Sequence, residues 1–169
     1  MICWCYLQIR VLIRDVVPES PPFIAQFELI REVRLVDTDS TGFAHFSSYV
    51  RMMEETEYAF LRSRGLRVVL YDERGTMGFP RLHVSINIFD PVSFGERVLV
   101  KLKLAELDGK QITYCFDICN QDGEVAVEGE FRAAFCRFPD GEPPFAILIP
   151  EFVTAALTAP SEVTTEVQV

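Results

Sequence analysis

The stretch VLVKLKLAELDGKQITYCFDICNQDGEVAVEGEFRAAF, residues 98–135, decides the fold class. Val98, Val100, Leu102 and Leu104 alternate with Lys101 and Lys103, and Ile112, Tyr114, Phe116 and Ile118 alternate with Thr113 and Asp117. A third run sets Val125, Val127, Phe131, Ala133 and Phe135 against Glu128, Glu130 and Arg132. This period of two belongs to strands with one buried face. The connections carry Asp108-Gly109 and Asp122-Gly123, a dipeptide suited to tight hairpin turns, so the spacing predicts a three-stranded antiparallel meander.

Working outward, Val84, Ile86 and Ile88 alternate with Ser85 and Asn87. Over residues 27–36, Phe27, Leu29, Val33 and Leu35 alternate with Glu28, Glu32 and Arg34, which predicts a first strand. Between these two runs, residues 47–64 place Tyr49, Val50, Met53, Ala59, Phe60 and Leu61 mostly on one side of a helix that Gly65 stops. Residues 67–78 are irregular and hold two glycines. Five strands and one long helix predict an α+β domain: a curled, mostly antiparallel five-stranded sheet wrapped around a central helix. The domain is read as residues 25–153, after an extension and proline-rich linker at 1–24 and before a tail at 154–169.

The composition narrows the classes of function. With 16 Lys and Arg against 25 Asp and Glu the formal charge is -9, a field that repels nucleic acid. The apolar start MICWCYLQIRVLIRDVV is interrupted by Arg10 and Arg14 and has no small-residue cleavage site, so it reads as neither signal peptide nor membrane anchor. The cysteines Cys3, Cys5, Cys115, Cys119 and Cys136 are odd in number and lack CxxC spacing. That speaks for idle thiols in a reducing, cytoplasmic setting, without a disulfide framework or bound metal. His83 opens a strand with no titratable partner at matching spacing and is read as structural.

The chemistry concentrates between the first strand and the helix, in DTDSTGFAHFSSY, residues 37–49. Two carboxylates, a glycine and a histidine lead into a helix N-terminus, whose free amides and positive dipole end favour developing negative charge. Such a loop suits acyl chemistry: an aspartate attacks a carbonyl or activates water while amides near residues 46–48 hold the oxyanion. A thioester fits, because a thiolate with a pKa near ~8.5 leaves with little acid assistance. The same residue types also serve as turn and capping groups. On the helix, Glu54, Glu55 and Glu57 with Arg51 read as a charged face with Arg51 and Glu55 at i,i+4.

The run V-x-x-x-D-T-D-x-x-G-x-x-H-F-x-x-Y-x-x-x-x-E, from Val33 to Glu54, followed by F-L-R-x-x-G at Phe60 to Gly65, resembles the 4-hydroxybenzoyl-CoA thioesterase family of the hot-dog fold. Phe79-Pro80, Asp90-Pro91-Val92, Phe94-Gly95-Glu96 and Ile149-Pro150-Glu151 extend the likeness to about residue 153. The resemblance implies an acyl-CoA thioesterase without cofactor, active as a homodimer or homotetramer. It implies that Asp39 is the catalytic carboxylate with Asp37 in support, that Gly42 admits the substrate, and that His45, Phe46 and Ser47 hold the oxyanion amide. Glu54 matches a family glutamate, and Lys110 is the residue that would meet the CoA phosphates, ahead of Arg81, Arg97, Lys101 and Lys103. The sequence departs from the usual pattern at His45, where tyrosine is common, and at Ser48, where asparagine is. Two alternatives stand beside the thioesterase: a hydratase or dehydratase acting on 3-hydroxyacyl thioesters through Asp39 and His45, and a non-catalytic module that binds acyl thioesters.

Overall fold

A computed structural model describes residues 23–160 and 165–168. The expected extension at 1–24 therefore lies outside the described residues, apart from Phe23 and Ile24. The five strands read from alternation are present as β1 (Ala25–Glu32), β4 (Arg81–Ile88), β5 (Arg97–Asp108), β6 (Gln111–Cys119) and β7 (Val125–Ala134). They stand in one sheet in the order β1-β5-β6-β7-β4, all antiparallel to their neighbours. The two Asp-Gly turns join β5 to β6 and β6 to β7, with Gly109 and Gly123 both at positive φ.

Helix α1 (Phe46–Ser63) crosses the concave side of this sheet. Tyr49, Met52, Met53, Ala59, Phe60 and Leu61 are buried on it, facing Phe27, Leu102, Tyr114, Phe116 and Phe131 from the strands. Ring contacts run from Phe27 to Phe60 to Tyr114 and on through Phe116 to Phe131, which joins helix and sheet into one aromatic core. Gly129 in β7 marks the closest approach. A Cβ there would stand 2.6 Å from the Met53 sulfur and collide with its methyl, so the missing side chain lets the helix settle onto the strand.

Several expectations are corrected. The first strand ends at Glu32, and Leu35–Asp37 forms a single 3-10 turn, because Asp37 accepts the backbone N–H of Arg34 and pulls the chain out of extension. The irregular stretch at 67–78 is a hairpin of β2 (Val69–Asp72) and β3 (Gly75–Gly78). It joins β8 (Cys136–Phe138) and β9 (Phe145–Ala146) in a second sheet of four strands, so the described residues form two sheets and not one. Both oxygens of Asp72 accept hydrogen bonds from the Arg137 guanidinium across that sheet, and this pairing lowers the Asp72 pKa to about 2. The tail begins instead as a second helix, α2 (Glu151–Thr158), which buries Val153 and Leu157. It ends in β10 (Thr165–Gln168), which adds a parallel sixth strand beside β1. These pieces are too short for periodicity to register, and tertiary contact holds them.

Replacement of Gly129 by valine is expected to lower stability by about 1–3 kcal/mol, the usual cost of overpacking a filled core. Urea unfolding measures it, and a midpoint equal to that of the parent protein would show that Met53 yields without strain.

Candidate active site

The loop between β1 and α1 is fixed from below by a buried carboxylate. Asp37 is fully inaccessible, and both its oxygens accept 2.9 Å hydrogen bonds from Nη2 of Arg31, which is itself only 3% exposed. The Arg34 amide donates at 3.0 Å and Arg51 Nη2 at 3.3 Å. The second guanidinium nitrogen of Arg31 lies 2.8 Å from Glu55 of α1. The backbone carbonyl of Asp37 also accepts two bonds, from the His45 amide at 2.9 Å and the Ser48 hydroxyl at 2.7 Å. One residue thus ties β1, the loop and the first turn of α1 together.

Above this anchor the chain turns through Asp39, Thr41 and Gly42. Gly42 has φ +85°, a left-handed conformation that suits glycine, and its amide donates to the Asp39 carbonyl at 3.1 Å. The Asp39 amide donates to the Phe43 carbonyl at 2.9 Å, closing the turn. A second loop buttresses it: Ala44 donates to the Val92 carbonyl, Phe94 to that of Gly42, and the Val92 amide to the buried Tyr49 hydroxyl at 3.1 Å. The exposed Asp39 side chain accepts both the amide (2.7 Å) and the hydroxyl (2.5 Å) of Thr41 on one oxygen, Oδ1. The Thr41 bonds, the charge of His45 and the Phe43 backbone together hold its pKa below the ordinary carboxylate value. Asp39 is therefore ionised at neutral pH, with Oδ1 held by Thr41.

The start of α1 shows which amides are engaged. His45 is the N-cap, and its Nδ1 accepts the Ser47 amide at 3.4 Å and lies 2.8 Å from the Ser47 hydroxyl. Ser48 donates its amide to the His45 carbonyl at 2.8 Å. The His45 amide is taken by Asp37, which leaves the Phe46 amide as the first-turn N–H without a partner among the described residues. The two departures from the usual pattern thus have structural work: His45 caps the helix and Ser48 binds the loop.

The residues singled out from the sequence divide in space. Asp37, Asp39, Gly42, His45, Phe46 and Ser47 converge on this loop and helix end. Glu54 lies two turns further along α1, where it accepts a 2.9 Å bond from Tyr58. Lys110 sits at the β5–β6 turn, at the opposite end of β5 from the Arg97 end that abuts this loop, about 36 Å of strand contour away at the usual rise. Arg51 and Glu55 do not form the expected surface pair, since Asp37 and Arg31 take them instead. Glu57 is buried, and not solvated as expected, because Arg81 of β4 reaches across to its carboxylate. The sequence reading missed the roles of Thr41 and Arg31; an Asp followed two residues later by Thr was the available signal for the first. Cys115, Cys119 and Cys136 are free thiols whose pKa values burial raises. Among the described residues, no cluster of acidic, histidine or cysteine side chains could hold a metal ion.

Residues 33–157 match the family model of the thioesterase-like superfamily, and the chain belongs to that superfamily. It is similar to a 1,4-dihydroxy-2-naphthoyl-CoA hydrolase of Synechocystis sp., with 31% identity over 91 residues that span 54% of this chain and 64%, just under two thirds, of the relative. Among solved structures it superimposes on a 1,4-dihydroxy-2-naphthoyl-CoA thioesterase from Synechocystis with a TM-score of 0.70 at 21% identity, over 80% of this chain and 97% of the other. A hypothetical protein from Thermus thermophilus matches with a TM-score of 0.65 at 30% identity, over 78% and 97%. The family resemblance read from the D-T-D-x-x-G run is thereby confirmed, as is the hot-dog architecture, now with two sheets and two helices.

The two aspartates are expected to separate cleanly. Asp37→Ala should cost about 3–5 kcal/mol of stability, because it strands the Arg31 charge in the interior. Asp39→Asn, at an exposed position, should stay within about 0.5 kcal/mol. Equal urea midpoints for the two variants would remove the anchoring role from Asp37.

Proposed function

We propose that the chain is an acyl-CoA thioesterase in which Asp39 is the reactive carboxylate and the Phe46 amide the oxyanion donor. The observation that carries this reading is the pairing of an ionised carboxylate, held at Oδ1 by Thr41, with the Phe46 amide of the first turn of α1, which has no partner among the described residues. Oδ2 adds to the thioester carbon and the carbonyl electrons move to oxygen, where the Phe46 N–H and the helix dipole stabilise them. Collapse breaks the C–S bond and releases the CoA thiolate, leaving an acyl-aspartyl anhydride. Water hydrolyses the anhydride to the free acid, its proton ends on the thiolate, and Asp39 is regenerated as carboxylate. A general-base route, with Asp39 taking the proton of an attacking water, gives the same products. No cofactor enters either route.

The named relatives act on an aromatic acyl-CoA, and by extension we assign acyl-CoA esters as the substrates here. Cysteine usage favours a reducing, cytoplasmic setting. Among the described residues, no helix is long and apolar enough to cross a membrane. Asp39→Asn should reduce kcat by about 100-fold or more, with KM and folding nearly unchanged, as for loss of a group that acts in the transition state. Thiol release across short, medium and aromatic acyl-CoAs measures this, and a variant that kept most of its activity would refute the assignment.

We further infer a homodimer formed through β4, the basic unit of any tetramer. Among the described residues this strand ends the larger sheet with an unpaired edge. Val84, Ile86 and Ile88 oppose Phe131, Gly129 and Val127, so they face the concave side, yet Val84 and Ile88 are left exposed beyond the reach of α1. An apolar edge of this kind calls for a partner. Antiparallel pairing of two such edges would also carry the Lys110 turn of one chain toward the Asp39 loop of the other, the arrangement in which Lys110 could meet CoA phosphates. Val84→Lys should yield a monomer in sedimentation, with KM for acyl-CoA raised several-fold. A parent protein that sediments as a monomer at micromolar concentration would refute the dimer.

A further inference from the structure

We propose that Thr41 is a positioning residue for the reaction, one that holds the Asp39 carboxylate by Oδ1 so that Oδ2 is presented in a single orientation. The proposal rests on the assignment of Asp39 as the reactive group. An aspartate as exposed as Asp39 would ordinarily turn about both side-chain torsions, and that freedom is lost whenever the carboxylate must meet a carbon at bonding approach. Thr41 removes it with two donors on one acceptor: its amide at 2.7 Å and its hydroxyl at 2.5 Å both point at Oδ1. The amide alone fixes a distance, whereas the pair fixes a direction. The donor hydroxyl is set by a backbone that is itself held, since Gly42 next to it donates to the Asp39 carbonyl and accepts from the Phe94 amide.

The hydroxyl has an electronic effect opposed to its geometric one. By donating to the charged form it lowers the Asp39 pKa, and a less basic carboxylate is a weaker nucleophile. A hydroxyl kept at this position therefore contributes through orientation, at some loss of intrinsic reactivity. Among the described residues, the charge of His45 acts on Asp39 in the same direction as the Thr41 bonds.

Thr41→Val keeps the amide and the side-chain shape and removes only the hydroxyl; Thr41→Ser keeps both donors. In Thr41→Val the titration midpoint of the Asp39 carboxyl carbon, followed by carbon-13 NMR, should move up toward the ordinary carboxylate value. Over the same change kcat at neutral pH should fall about tenfold with KM unchanged, as for loss of one charge-assisted hydrogen bond to the reacting group. Thr41→Ser should restore both the midpoint and the rate. A Thr41→Val enzyme with unchanged or raised kcat would overturn the positioning role, since the raised basicity would then act alone, and an unmoved midpoint would overturn the contact itself. If instead Asp39→Asn were fully active, the assignment of Asp39 would fail irrespective of Thr41. An inactive Asp39→Asn beside a Thr41→Val enzyme of parental rate would sink this proposal only.

Discussion

The buried Asp37 is the constraint on which the rest of the site depends. A carboxylate with no solvent access is tolerable only when its charge is balanced and its lone pairs are filled. Arg31 of β1 supplies the charge, the Arg34 amide and Arg51 add donors, and Glu55 balances the second face of Arg31. This requirement ends β1 at Glu32, folds the next residues into a 3-10 turn and sets where α1 begins. Because the same residue offers its carbonyl to His45 and Ser48, the helix cannot start elsewhere without breaking two further bonds.

That rigidity below permits exposure above. Asp39 is solvated, which keeps it charged, yet the turn beneath it is closed by backbone bonds at Asp39, Gly42 and Ala44 and propped by the loop through Val92 and Phe94. Charge and accessibility come from solvent, and orientation comes from the fold. At the first turn of α1 the Ser47 and Ser48 amides are taken by His45, while the Phe46 amide, at the positive end of an 18-residue helix, has no partner among the described residues.

The sheet distributes the remaining tasks. Its centre, β5 and β6, is buried against α1, and Gly129 lets Met53 approach closely. Its two edges differ: β10 covers β1, while β4 stays open with apolar side chains on the concave side. The buried Glu57–Arg81 pair pins the start of that open edge to α1, and the Arg81 guanidinium stacks over Phe131 at 4.4 Å. Beyond that pinned start, Val84 and Ile88 remain exposed on the concave side of the strand.

Alternation alone located five of the six strands of the main sheet and the meander, because each of those strands buries one face and each Asp-Gly turn permits one tight reversal. The helix was equally legible from its apolar side, and the D-T-D-x-x-G run marked the candidate loop, since the residue types that bind, turn and cap there are few. The tertiary structure decided what periodicity does not encode. The strands β2, β3, β8 and β9 and helix α2 are too short to declare themselves, and they exist because distant segments pair with or pack on them. Asp37 and Asp39, two residues apart and alike in sequence, became a buried anchor and an exposed carboxylate only once Arg31 reached one of them and Thr41 the other. A sequence fixes which side chains can carry charge, and only the packed chain fixes which of those charges meets solvent and which meets a partner.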